Sequence, residues 1–326
     1  MDIRAVIAYL GDDWTRTQSL IRSSLNSDIG LLNCINSYVL EHGGKQLRPI
    51  LSLLMARACG GGQATEDSIR CAAAVEMLHN ATLLHDDVAD GSKVRRGAPT
   101  VASFLGASRS VLVGDYWLVK AETQVLAVGN RMTEILDMFA NTLSLLAEGE
   151  MLQLEKASSG DTTEEDYLRI IRSKTGSLFE TACLSAAVSV NAPEDVMATV
   201  GDYARYLGLA FQIKDDILDY SGTDIGKPVG VDIREQKITL PLLGALNRVD
   251  AGRREEIRGM VRDIAEHPGN ASVLMDFVRD NDGIAYARER LAEFSAKAAQ
   301  AASMLPSGPA ADYLVEMAAL MADREK

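Results

Sequence analysis

Eight prolines punctuate the chain, at 49, 99, 193, 228, 241, 268, 306 and 309, and none falls between residues 100 and 192. Proline removes a backbone donor and clashes with the preceding helical turn, so a proline-free stretch of this length lets several long helices run uninterrupted. Alanine, leucine, methionine and glutamate are abundant, and aromatic residues are only 5% of the chain. No segment keeps the two-residue alternation of a half-buried strand. The pattern predicts helices over 2–10, 12–24, 28–41, 48–58, 66–89, 99–105, 108–127, 131–155, 164–174, 177–190, 195–220, 239–247, 253–266, 270–301 and 309–324. No low-complexity linker divides the chain. The expected fold class is all-α: one domain over residues 1–326, an antiparallel helical bundle around a deep central cavity.

Charge and cysteine usage narrow the function classes. The formal charge is -13, from 33 basic and 46 acidic residues, which disfavours a nucleic-acid binder. Four cysteines, Cys34, Cys59, Cys71 and Cys183, fit no zinc or CxxC spacing. Cys71 and Cys183 sit in alanine-rich runs and read as small core residues of a protein in a reducing cytoplasm. The first residues carry acids where a signal peptide needs a basic start. No apolar run approaches the roughly 20 residues needed to cross a bilayer. A cytoplasmic protein without a transmembrane segment is expected.

The run LLHDDVAD at 83–90 has a near-copy, IKDDILD, at 213–219. Each holds three aspartates as D-D-x-x-D: Asp86, Asp87 and Asp90, then Asp215, Asp216 and Asp219. On a helix the first and last of each trio are four positions apart and share a face. A single copy is a weak signal, because solvated helix ends carry many such runs. Two copies with apolar flanks are much stronger, since bare carboxylates in such surroundings need compensation. Paired clusters of this kind suit a hard divalent cation, most plausibly Mg2+, which keeps positions open for substrate phosphates.

Basic residues stand where a diphosphate site needs them. Gly43 and Gly44 form a flexible turn before Lys45 and Arg48; an arginine binds phosphate bidentately and a lysine as a point charge. Arg95 and Arg96 follow the first trio as a second anion clamp. Lys174, Thr175 and Lys237 are further candidates. His79 lies seven positions before Asp86, about two turns away and on roughly the same face, so it is a candidate headgroup contact. His85 has no assigned role, and His42 and His267 read as loop residues.

Together these segments resemble the all-trans polyprenyl diphosphate synthases of the isoprenoid synthase superfamily, most closely the octaprenyl type. The resemblance runs from GGKQLRP through LLHDDVAD, RRGAPT, LVGDYW, KTGSLFE and FQIKDDILDY to GKPVGVDIREQKITLPLL. It implies an isoprenoid synthase fold, a homodimer, and Mg2+-dependent condensation of isopentenyl diphosphate with an allylic diphosphate such as farnesyl diphosphate. Carried over by position, Asp86, Asp90, Asp215 and Asp219 would organise three Mg2+ ions, with Asp87 and Asp216 in support. Arg95, Lys174 and Lys237 would hold the allylic diphosphate, with Lys227 nearby. Lys45, Arg48, His79 and Arg96 would hold isopentenyl diphosphate, and Thr175 and Gln212 would present oxygens to the allylic cation. Two residues depart from the pattern. Lys214 stands where many relatives have an apolar residue, and Gln236 replaces the glycine of an EGK motif.

Product length is expected to follow from the residues behind the first trio. Ala81 and Thr82 are small where a short-chain synthase would carry an aromatic floor. Leu78, Val75, Ala74, Ala73, Ala72 and Cys71 continue the route without an aromatic stop. Any floor must come from a facing helix, with Tyr116 or Trp117 as candidates. The expected product is long, with seven or more isoprene units implied by the resemblance. The alternatives are a short-chain farnesyl or geranylgeranyl synthase, a class I terpene cyclase and a non-catalytic synthase subunit. A cyclase would carry N/D-x-x-S/T-x-x-x-E in place of the second trio, and a non-catalytic subunit would lose aspartates or clamps. The chain does neither.

Overall fold

The computed structural model describes residues 2–221 and 230–322. In chain order it contains α1 (Ile3–Leu10), α2 (Asp12–Ser24), α3 (Gly30–Glu41), α4 (Leu47–Cys59), α5 (Glu66–Ala89), β1 (Val94–Arg95), β2 (Ala98–Pro99), α6 (Val101–Leu105), α7 (Ala107–Leu126), α8 (Met132–Ser159) and α9 (Glu164–Ile171). A π-helical turn (Arg172–Gly176) leads into α10 (Ser177–Ser189), followed by α11 (Glu194–Ser221), α12 (Val231–Arg234), α13 (Leu240–Leu246), α14 (Ala251–Arg262), α15 (Asn270–Asp280), α16 (Gly283–Ser303) and α17 (Pro309–Ala322). The fold is all-α, and the two short strands form one antiparallel hairpin. No described helix is long and apolar enough to cross a membrane.

The chain forms two compact units. The first comprises the chain through Ala140 with Thr181–Gly201 and Ser303–Leu314. Its axis is α5. The Thr65 hydroxyl accepts from the Ser68 backbone while the Ser68 side chain returns the bond, a reciprocal cap that fixes the helix start. Ser68 also bonds Ser189 at 2.7 Å. Residues Cys71 to Val75, Met77, Leu78, Ala81 and Leu84 are all buried. A helix apolar on every side belongs in a core, and its alanines let neighbours approach closely. The partner α7 runs antiparallel to it. Ser110 Oγ donates to the Leu84 carbonyl at 2.9 Å, and Arg70 Nη1 to Gln124 Oε1 at 2.8 Å. Gly114, between those points, leaves room for the His85 ring, which a Cβ there would meet at 2.4 Å.

The second unit comprises Asn141–Glu180, Asp202–Ala302 and the chain from Val315. Phe179 and Tyr203 are fully buried, and the Phe179 and Phe211 rings lie 5.3 Å apart. All seven residues of α13 are buried. Three features here differ from the sequence expectation. The helix expected over 270–301 breaks at Asn281–Asp282, where Asp282 takes φ +52. The next residue is Gly283, whose Cβ would lie 2.1 Å from the Pro241 carbonyl oxygen. Close packing on α13 thus forces the turn. The helix expected to end at 174 passes through the π turn without a gap, and α12 forms between the helices expected over 195–220 and 239–247, where none was expected.

Candidate active site

In the first unit, the predicted anion-binding residues converge on one corner. Gly44 takes φ +70, and a Cβ on it would meet the Arg96 guanidinium at 2.7 Å. The glycine therefore gives both the turn and the space for Arg96. Gln46, also left-handed, opens α4 and places Arg48 in its first turn. Arg48 Nη1 lies 3.1 Å from His79 Nε2. Because a guanidinium can only donate, that nitrogen accepts, and the imidazole is neutral. Burial, then the Arg48, Arg96 and Arg95 charges, holds His79 well below its usual pKa. Arg96 donates to the His42 carbonyl at 3.2 Å. Arg95 and Arg96 come from the β1–β2 hairpin, whose two-residue turn, Arg96-Gly97, has positive φ at both positions, as the tightest hairpins require.

The two aspartate trios share an exposed first and a buried middle aspartate and differ at the last. Asp86 and Asp90 are exposed and Asp87 is buried; Asp215 is exposed, Asp219 half-buried and Asp216 buried. The middle aspartates are bonded to the protein. Asp87 accepts from Arg95 Nε at 2.7 Å. Asp216 accepts from the Tyr167 hydroxyl at 2.6 Å and from Gln212 Nε2 at 2.8 Å. Asp219 accepts the backbone N–H groups of Val231 and Asp232, both at 3.1 Å, and so ties down the start of α12.

Around Asp216 the second unit builds a cavity of about 150 Å3 with a mixed polar and apolar lining. Lys174, Thr175, Gln212, Asp216 and Lys237 line it, as do Gln153, Tyr167, Asp232 and Thr239. Its geometry depends on glycines. A Cβ on Gly208 would sit 2.7 Å from Gly176 Cα, and one on Gly149 would sit 2.7 Å from Ser173 Cβ. These close approaches press α11 and α8 onto the π turn, a local widening that often marks functional sites. Thr175 Oγ1 then donates to Gln212 Oε1 at 2.6 Å. Thr175, Gln212, Asp216 and Tyr167 thus form one chain of hydrogen bonds. Lys174 pairs with Glu150 and donates to Gln153 Oε1 at 3.1 Å. Lys237 pairs with Glu235 at 2.5 Å. Burial, reinforced by Asp219, pushes Asp232 up to about 7 against the pull of Lys237.

The remaining candidates fall as follows. Lys227 lies outside the described residues. Lys45 is exposed on the turn before α4. Lys214 donates to the Leu320 carbonyl at 2.8 Å, at the end of α17, where the helix dipole favours a cation. Gln236 occupies φ +60, the region glycine favours, and its amide donates to the Arg262 carbonyl at 2.6 Å. Ala81 is buried, and Thr82 donates to the His79 carbonyl at 2.8 Å. Trp117 is fully buried, with its indole N–H on Asn36 at 2.8 Å. Tyr116 instead reaches the Asn26 carbonyl at 3.3 Å. Among the described residues, no three His, Cys, Asp or Glu side chains gather as a closed metal cage. Mg2+ needs none, since it is commonly held by one or two carboxylates together with water and substrate phosphates. The accessible outer aspartates are oxygen donors of that kind. Sequence reasoning missed Glu76, Tyr167 and Asp232; their only signal was a polar residue inside an otherwise apolar or turn segment.

An all-helical fold carrying two D-D-x-x-D helices and separate clusters of basic residues defines a diphosphate-handling enzyme of the isoprenoid synthase type. The polyprenyl synthetase family model matches residues 30–278, and the chain belongs to that family of trans-prenyltransferases. It is 36% identical to octaprenyl diphosphate synthase of Escherichia coli over 333 residues, covering all of both chains. A decaprenyl diphosphate synthase structure from Rhodobacter capsulatus superposes with TM-score 0.90 at 34% identity, covering 98% of each chain. A polyprenyl synthase from Caulobacter crescentus, complexed with calcium and isoprenyl diphosphate, gives TM-score 0.89 at 32% identity over 99% of this chain and 98% of that one.

Proposed function

We propose that this protein condenses isopentenyl diphosphate head to tail with an allylic diphosphate, such as farnesyl diphosphate, to give a long all-trans polyprenyl diphosphate. The observation that carries this reading is the repeated trio, in each copy with the first carboxylate exposed and the middle one buried and bonded. Asp86, Asp90, Asp215 and Asp219 are assigned to Mg2+, a hard cation that takes carboxylate oxygens. Asp87 and Asp216 orient the trios from behind. When bound, Mg2+ supplies positive charge that neutralises the departing diphosphate.

The chain's own residues do the rest. Lys174 and Lys237 hold the allylic diphosphate. Arg95, bonded to Asp87, adds charge and braces the first trio. Lys45, Arg48, His79 and Arg96 hold isopentenyl diphosphate, and the neutral His79 ring has its other nitrogen available as a donor. Thr175 spends its proton on Gln212, which leaves oxygen lone pairs to stabilise an allylic cation. The isopentenyl double bond attacks that cation, and a proton leaves the new chain to restore an alkene, with the released diphosphate as base. One domain carries the whole reaction.

A homodimer is part of the same reading. Leu112, Val119 and Leu126 are 65, 56 and 57% exposed and recur every seven residues along α7, an apolar stripe of the kind that closes a two-fold interface. The activity is tested by measuring diphosphate release with Mg2+. Release that needs both isopentenyl and farnesyl diphosphate supports condensation. Release from farnesyl diphosphate alone would instead indicate a cyclase, and no release would indicate a non-catalytic subunit.

A further inference from the structure

Glu76 is an acid buried in the middle of α5, 1% exposed and flanked by the buried Val75 and Met77. It stands one turn before His79, on the same face. Its Oε1 accepts from Asn80 Nδ2 at 3.1 Å, and the same amide reaches the Glu76 carbonyl at 2.8 Å. Its other oxygen, Oε2, is buried with no hydrogen-bond partner. Arg48 of α4 and Arg96 of the hairpin are the charged groups that act on it. On its own helix it is followed by the neutral His79 and by Asn80. Arg95, the third arginine of the corner, is already matched by Asp87.

We propose that Glu76 is a positioning residue for isopentenyl diphosphate, counterbalancing Arg48 and Arg96 in the free enzyme and taking up a proton as the diphosphate binds. This rests on the assignment of Arg48, His79 and Arg96 to that substrate. A buried carboxylate and an incoming diphosphate compete for the same two guanidinium charges. Protonation removes the competition. Oε2 can accept the proton without breaking a bond, because Asn80 engages only Oε1. Burial already pushes Glu76 up to about 7, against the opposing pull of Arg48 and Asn80, so one further negative charge nearby suffices. Arg48 feels the reverse, brought down to about 10 by burial and held up by Glu76.

The test is calorimetric titration of isopentenyl diphosphate into wild type and Glu76→Gln at pH 7.5, in two buffers of different ionisation enthalpy. Wild type should take up roughly half a proton more per site than Glu76→Gln, and the variant should bind at least as tightly. Equal proton uptake would overturn the proposal. Should Glu76→Gln not fold, wild-type kinetics decide: the Michaelis constant for isopentenyl diphosphate should rise from pH 7 to 8.5, by up to about tenfold per unit, while that for farnesyl diphosphate stays level. Parallel profiles for the two substrates would overturn it. Arg48→Ala separates the two claims. If it leaves isopentenyl diphosphate binding intact, the substrate assignment itself is wrong; if it weakens binding while Glu76→Gln leaves uptake unchanged, only the role of Glu76 fails.

Discussion

The hydroxyl of Tyr167, from α9, donates a 2.6 Å hydrogen bond to Asp216 of α11, and both side chains are buried. Gln212 takes the second carboxylate oxygen, so Asp216 is fully engaged by its own protein. Its place in the motif is that of a brace, one residue from the exposed Asp215. Tyr167→Phe removes one donor and leaves a buried oxygen unpaired, at a cost of about 1–3 kcal/mol. Denaturant unfolding should show that loss, with a higher Michaelis constant for the allylic substrate. Unchanged stability and kinetics would contradict the bracing role.

The two trios predict a contrast between inner and outer positions. Asp86→Ala and Asp215→Ala alter exposed carboxylates, so stability should stay within about 0.5 kcal/mol while turnover falls by orders of magnitude. Asp87→Ala and Asp216→Ala strip buried bonding partners and should lower the unfolding midpoint as well. Thermal unfolding and initial rates on the four variants check this. Equal stability losses at all four positions would undo the division of roles.

Stability should also vary with pH in a stated direction. Burial holds Glu76 near 7 in the folded protein, above the ordinary 4.5. A raised acid favours the folded state most while protonated, so its contribution is full below about pH 4.5 and is lost as pH rises towards about 7. For a shift of this size the loss is on the order of 3 kcal/mol. Urea unfolding of wild type and Glu76→Gln between pH 5 and 8 isolates it: the gap between them should narrow or reverse as pH rises. A constant gap would show that Glu76 ionises normally.

Much of this was legible in the sequence because it depends on local pattern. The helix expected over 66–89 is α5 residue for residue, since Thr65 supplies a cap and the apolar run continues until the acidic trio. The exposed Asp86 and Asp215 and the placing of Arg48 in the first turn of α4 also follow from local spacing. What stayed hidden depends on packing between distant segments. Gly283 reads as one glycine in a helical pattern until Pro241 is beside it. A π turn adds one residue to a turn without any break in composition, so Arg172–Gly176 left no trace. Glu76 lies within VEM, where an apolar face with one acid looks like ordinary helix. Tyr167 and Asp232 join the site only once α9, α11 and α12 are packed together. Gln236 shows the converse: its departure from glycine was visible, but not the left-handed backbone that makes it matter.

Assembly gives a further check. The exposed Leu112, Val119 and Leu126 face of α7 should be covered by a second copy. Light scattering at micromolar concentration should return about twice the 35.2 kDa chain mass. Val119→Glu should lower that value. A wild-type monomer with full activity would remove the dimer from the account.

The central claim is elongation to a long chain, and product chromatography tests it most directly. The contacts between α5 and α7 pair Leu84 with Ser110 and Arg70 with Gln124, which puts Trp117 level with Met77, about one helical turn deeper than Ala81. Nowhere along its length does α5 carry a Phe, Tyr or Trp. Labelled isopentenyl diphosphate, farnesyl diphosphate and Mg2+ should therefore yield a polyprenyl product of about seven or more isoprene units, each adding close to one helical turn of length. Ala81→Phe should still condense but stop near farnesyl or geranylgeranyl size. A wild-type product that ends at those short lengths, or no elongated product at all, would contradict the account.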